Sequence, residues 1–264
     1  MMAHIFTFSL LAVFATDIIF TKIIYILFPI ILAILHIYVG KLYWLHQIIP
    51  KKRWLSLGSG VSIAYVFLEI LPELTQAQQK IEKTLLTIIV FLEHHVYILA
   101  LVGLALFYGL ELLALRSRRQ NRESKQEDVT SLNIFWLHIG AFALYNFLIG
   151  ELFSNVEEQG LINTFFLFIA IALHFLVNDD SLREHHKHSY DGVGRWLLAA
   201  ALFMGWIVGQ AMEFPEAAIG SFWAFIAGGI IFNTLKEEIP DRRDSCFWAF
   251  ILGVAGYSTL LFLA

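Results

Sequence analysis

Apolar runs of some twenty residues alternate with short polar breaks along most of the chain. Runs of that length match the thickness of a bilayer's hydrocarbon core at helical rise. Backbone amides in lipid must be satisfied within their own segment, so the runs predict helices. Eight spans follow, at about 24–45, 54–72, 92–115, 133–153, 161–178, 194–212, 217–235 and 246–263. The seventh carries no charged residue. Ahead of them, residues 1–22 hold a short apolar stretch followed by Asp17 and Lys22, without a basic start. That segment reads as a signal, an interfacial helix or an extra helix. Residues 23–264 read as one transmembrane domain. The longest polar stretch, 116–131, reads as a charged, mobile loop between the third and fourth spans.

Composition agrees with this pattern. The chain is 58% hydrophobic and 15% charged, against about 45–50% and about 25% in soluble domains. The net charge of −4 constrains little. A single cysteine, Cys246, excludes an intrachain disulfide and a cysteine-based zinc site. The placement of basic residues says more than their number. Loops 1–2, 3–4, 5–6 and 7–8, with the flanking helix ends, carry fifteen Lys and Arg, Lys236 among them, and the other side carries three. The positive-inside rule puts the basic loops in the cytoplasm and both termini outside, in the cell's inner membrane.

Two segments align without gaps. Ser59-Gly60, Glu69, Pro72 and Glu73 of the second span stand in register with Ala227-Gly228, Glu237, Pro240 and Asp241 at the seventh. The charge rule sends these spans in opposite directions, which suggests an inverted repeat of helices 1–3 and 6–8 around helices 4 and 5. Such repeats place substrate sites near the midplane.

With these motifs the chain resembles the ZIP family of zinc and iron transporters. The resemblance implies an all-α membrane bundle of eight helices with that inverted repeat. It also implies a metal site on helices 4 and 5. The family's fourth-helix motif, His-Asn-x-x-Asp/Glu-Gly, falls on Tyr145-Asn146-Phe-Leu-Ile149-Gly150. Its fifth-helix motif, His-Glu-x-Pro-His-Glu, falls on His174-Phe175-Leu-Val177-Asn178-Asp179. Tyr145 therefore replaces an imidazole, Ile149 and Phe175 replace carboxylates, Val177 replaces a proline and Asn178 replaces an imidazole.

His174 and Asn178 are one helical turn apart and share a face; Asn146 would face them. These three are either metal ligands or an interhelical hydrogen-bond set. Asp179, a further metal candidate, ends the fifth helix with Asp180 at the cytoplasmic face, to receive a departing cation or as a solvated helix-end charge. Glu69, Glu73, Glu111, Glu151, Asp180 and Glu238 are candidates for a cation pathway, or solvated helix-end charges. Glu69 and Glu73 are like charges one turn apart, which favours a cation or a proton at the outer mouth, unless both reach the headgroups. His94 and His95, and His185, His186 and His188 in the loop after the fifth span, are candidates for metal capture or plain solvated residues. Gly205 and Gly209, with Gly103 and Gly109, read as close-packing positions.

The expectation is a transporter, not an enzyme, that passes a divalent cation, zinc first, into the cytoplasm. It would use no organic cofactor and bind no nucleic acid; a homodimer is left open. A non-transporting ZIP-like scaffold or metal sensor is the alternative. An intramembrane hydrolase is a distant third, since neither His-Glu-x-x-His nor Gly-x-Ser-x-Gly occurs.

Overall fold

The computed structural model describes residues 21–41, 50–84, 95–125, 127–154, 156, 160–238 and 245–263. Among these there is no strand. The first helix, α1, runs Thr21–Tyr38 and tightens into a 3-10 turn at Val39–Lys41. The second, α2, runs Lys51–Tyr65, passes through a wide π turn at Val66–Ile70 and continues over Leu71–Thr84. Then come α3 (His95–Glu123), α4 (Leu132–Leu152) and α5 (Leu161–His186). A π turn at Tyr190–Gly194 opens α6 (Arg195–Ala211), and α7 (Glu216–Glu238) and α8 (Phe247–Leu263) follow. Seven helices are long and apolar enough to cross a membrane. The 17-residue α8 is about 25 Å long and slightly short of a full core. Except for its last two residues, the 1–22 segment lies outside the described residues.

The surface is that of a protein solvated by lipid. Leu101, Trp248 and Phe262 are exposed, whereas His36, Glu111, Asp179 and Lys236 are buried. This is an integral multi-pass membrane protein. Polar residues within apolar spans turn inward, where they find partners that lipid cannot offer.

Four parallel helix pairs build the bundle. On α2 and α8, the Ser56 hydroxyl accepts from the Cys246 amide and Tyr65 meets Tyr257, so the two ascend together. On α3 and α7, His95 meets Ser221, Tyr108 meets Phe232 and Glu111 meets Lys236. On α4 and α6, Ile139 lies by Gly194 and Gly150 by Leu202. On α1 and α5, Phe28 stacks on Phe168 and His36 lies by Phe175. Contacts between pairs run the other way. Tyr145 meets His174 while His138 meets His186, and Ser62 lies near Ala170 while Gly58 lies near Val177. Phe107 packs on Tyr145 while Ser117 bonds the Ser131 amide. Following these contacts through the bundle, α2 and α7 are antiparallel.

Glycine sets the close approach in three pairs. A Cβ on Gly60 would strike the Phe250 carbonyl, and one on Gly253 the Leu57 carbonyl. Gly228 and Ala100, and Gly103 and Phe225, repeat that reciprocal contact on α7 and α3; Gly150 and Leu202, and Gly205 and Phe147, repeat it on α4 and α6. Without a hydrophobic drive between helices in lipid, backbone approach and dispersion carry much of the association. Gly209 also packs closely, against Ser154. Gly109 does not behave as the sequence suggests: nothing lies within 4 Å of its would-be Cβ.

Two helix ends depart from expectation. The third and fifth helices overrun the apolar runs, to Glu123 and His186. The described residues of stretch 116–131 are pinned rather than loose. Arg118 holds Asp128 through two hydrogen bonds of 3.0 Å, the Asn121 amide donates to Val129 O, and the Thr130 amide donates to His185 O. Apolarity ends where lipid ends, but a helix continues as long as its polar side chains find protein partners. On the other side, α5 starts directly after Gly160, whose φ of +81° suits a residue without Cβ.

Candidate functional site

A column of buried polar side chains runs through the bundle in two clusters. The middle cluster joins α1, α4 and α5. His36 Nδ1 lies 2.9 and 3.0 Å from the two carboxylate oxygens of Asp179, and its Nε2 lies 2.7 Å from Asn146 Oδ1. The Asn146 amide nitrogen donates to Phe142 O at 2.8 Å, which turns Oδ1 toward the imidazole. Both ring nitrogens thus face acceptor oxygens. Beside them, His174 Nε2 lies 3.0 Å from the Tyr145 hydroxyl and 2.8 Å from Asn178 Nδ2. Among the described residues His174 Nδ1 is buried without a hydrogen-bond partner.

Asn146 and Asp179 thus meet through His36, and beside them His174 and Asn178, one turn apart on one face, bond each other. Asp179 is not a solvated helix-end charge: it is fully buried, because His36 meets its carboxylate. The residues that depart from the ZIP-like motifs fill the site with partners of their own. Tyr145 supplies the hydroxyl at His174, and the Phe175 ring lies 4.4 Å from the His36 ring. Ile149 and Val177 are buried apolar side chains. Gly150 serves the α4–α6 contact.

The second cluster sits where the basic residues gather, at the ends of α3, α5 and α7 and the start of α4. Lys236 Nζ is 2.6 Å from Glu111 Oε2, and His185 Nε2 is 3.0 Å from Glu111 Oε1. Arg118 Nη1 lies 3.2 Å from His185 Nδ1. Since a guanidinium can only donate, Nδ1 accepts and Nε2–H donates to Glu111. His186 Nε2 lies 3.0 Å from His138 Nδ1, and its other nitrogen meets the Thr130 hydroxyl. Glu237 lies 3.9 Å from Lys236, and the Phe232 ring lies beneath the ammonium.

His185 and His186 are thus not loop residues. They lie on α5 itself, 4% and 2% exposed, because Glu111, Thr130 and His138 meet them there. His188 is exposed, and His95 is half-buried against Ser221. His94 lies outside the described residues, as does the side chain of Glu238. Asp180 pairs with Lys51 at 2.6 Å. Glu151 is fully buried near the end of α4. Glu69 is half-buried within the π turn of α2 and Glu73 follows one turn on; among the described residues neither pairs with a basic side chain. Lys236, counted with the flanking charges, is a buried, ion-paired residue, and the charge asymmetry survives its removal.

Sequence reasoning missed His36, His138 and Lys236. The signal was present for two of them: each imidazole stands alone in an apolar run, and such residues are expensive in lipid unless paired. Among the described residues no three His, Cys, Asp or Glu side chains stand close enough to hold a metal ion as they are. No protein-family model matches the chain. No curated protein and no solved structure matches it either.

Proposed function

We propose that the chain is a ZIP-like transporter that passes a divalent cation, zinc first, between α4 and α5 into the cytoplasm, with both termini outside. The observation that carries this is the convergence of His36, Asn146, His174, Asn178 and Asp179 from three helices in the middle of an apolar bundle. Imidazole nitrogen, carboxylate and amide oxygen form a donor set of moderate affinity for a borderline cation. An ion must bind well enough to enter and weakly enough to leave. The inverted repeat is part of the same proposal. Its support is that Gly60 and Gly228, matched in the aligned segments, make equivalent contacts with α8 and α3, on helices that run oppositely. To bind here, a cation must exchange for the hydrogen bonds His36 and Tyr145 now make.

That requirement favours one second reading, a non-transporting scaffold or metal sensor whose site closes on itself. Uptake by purified protein in vesicles, read with an enclosed zinc-sensitive dye, separates the two. Transport is expected to exceed that of protein-free vesicles and to fall at least tenfold in Asp179→Asn. No uptake by the wild-type chain favours the scaffold.

A further inference from the structure

We propose that the pocket around Glu111 is a cation site whose resident cation is the Lys236 ammonium, and that without the ammonium the pocket takes a divalent cation. Both charges lie inside the bundle: Glu111 is 2% exposed and Lys236 is 5% exposed. A buried carboxylate without a compensating positive group is strongly disfavoured, so Glu111 needs a cation whatever its source. Lys236 provides one that is tethered to α7, at 2.6 Å. The Glu111 carboxylate also receives the His185 imidazole, and two more imidazoles complete the surroundings. The His138 ring centre is 5.0 Å from that of His186 and 6.2 Å from that of His185.

One carboxylate, an imidazole bonded to it and two more imidazoles whose ring centres lie 5.0–6.2 Å from their neighbours are the donor types that hold zinc. Among the described residues they do not converge as a metal site, and the ammonium stands against one of them, Glu111, where an ion would sit. It takes one carboxylate oxygen, and its positive charge repels a second cation. Arg118, bonded to His185, adds to that repulsion. Any ion travelling the column toward this end meets a position already filled. The same would hold if the protein transported nothing, so the inference stands apart from the transport reading.

The test is zinc binding by detergent-purified protein, measured by equilibrium dialysis and elemental analysis. Lys236→Met and Lys236→Gln remove the charge with little change in length. Both are expected to bind one zinc ion at least tenfold more tightly than the wild-type chain. Lys236→Arg, which keeps a cation, is expected to behave like wild type. Adding Glu111→Gln to Lys236→Met is expected to abolish the gain. Failure of the folded neutral variants to gain zinc overturns the proposal, and so does zinc that stays bound after Glu111→Gln. If both neutral variants aggregate when prepared without metal, zinc during expression and purification is expected to rescue them. Absence of rescue overturns the proposal too. Vesicle uptake by the wild-type chain reports on transport separately, so the two readings can fail independently.

Discussion

The middle of the polar column and its basic end solve one problem in different ways. In the middle, two imidazoles, two amides, a phenol and one carboxylate from α1, α4 and α5 bond one another; among the described residues, His174 Nδ1 alone of these ring nitrogens is left over. At the basic end, a full ammonium–carboxylate pair joins α7 to α3 and draws in three imidazoles around it. Polar atoms in an apolar bundle must be partnered, but a partner that can hydrogen-bond is a weaker demand than a partner of opposite charge. The middle holds a buried carboxylate too, Asp179, but its partner is an imidazole rather than an ammonium, so its bonds exchange at lower cost. The basic end, once assembled, strands a charge if either member is lost. This contrast bears on which cluster could accept an ion from outside: the middle by rearranging, the end only by ejecting its own cation.

The largest expected effect therefore falls on the basic end. Among the described residues, Glu111→Leu leaves the Lys236 ammonium with Glu237 at 3.9 Å and the Phe232 ring. Breaking a buried pair by removing one partner costs about 3–5 kcal/mol. Thermal unfolding in mild detergent is expected to show that loss. His36→Leu in the middle keeps the bulk but removes donors from Asn146 and Asp179. It is expected to cost about 3 kcal/mol, the upper end for leaving buried acceptors short of a donor, since one of them is the Asp179 carboxylate. If His36→Leu proves the more damaging of the two, the ranking of the clusters is wrong.

Much of the architecture was legible because lipid leaves few choices. Run length and loop charge gave eight helices, and the described helices lie on those runs. The shared face of His174 and Asn178 was legible as well, since helical spacing fixes which side chains share a face; the burial of Asp179 was not, because its partner His36 lies on another helix. What was not legible was the partner of each. Lys236 follows a charge-free span and looks like a flanking charge, because apolar run length cannot say that Glu111 of another helix waits for it. His185 and His186 look like loop residues for the same reason. Their helix is continued by tertiary contacts, and these leave no local pattern. Tyr145 and Phe175 read as losses against the ZIP-like motifs, yet each contacts an imidazole that it helps to hold.

A gain rather than a loss tests the middle cluster. Positions 145 and 149 lie one turn apart on one face of α4, and Tyr145 already reaches His174. Tyr145→His with Ile149→Asp should place an imidazole and a carboxylate opposite His174. Zinc affinity is expected to rise about tenfold, or about 1.4 kcal/mol, by calorimetric titration. His174→Ala in that background is expected to undo most of the gain. An unchanged affinity in the double variant would mean that Ile149 does not look toward His174, and that the middle cluster cannot be opened to a metal by restoring donors.

The smallest effect calibrates the rest. Arg118 holds Asp128 through two 3.0 Å hydrogen bonds, a geometry as good as any in the buried clusters, but the Asp128 side chain is 35% exposed. Water screens such a pair, so Asp128→Asn is expected to cost only about 0.2–1 kcal/mol at neutral pH. The hydrogen bond from Arg118 holds the Asp128 carboxyl below its usual range. A depressed carboxylate contributes stability that is present above the unfolded-state value, about 3.9, and is lost as pH falls through the lower folded-state value. The difference between Asp128→Asn and wild type should hold from neutral pH down to about pH 4 and shrink below it. High salt should reduce it at neutral pH, while the Glu111→Leu loss should barely respond, because its charges lie away from solvent. If salt weakens both to the same degree, the Glu111–Lys236 pair is solvated, and the distinction between a pair that needs its cation and one that merely has one disappears.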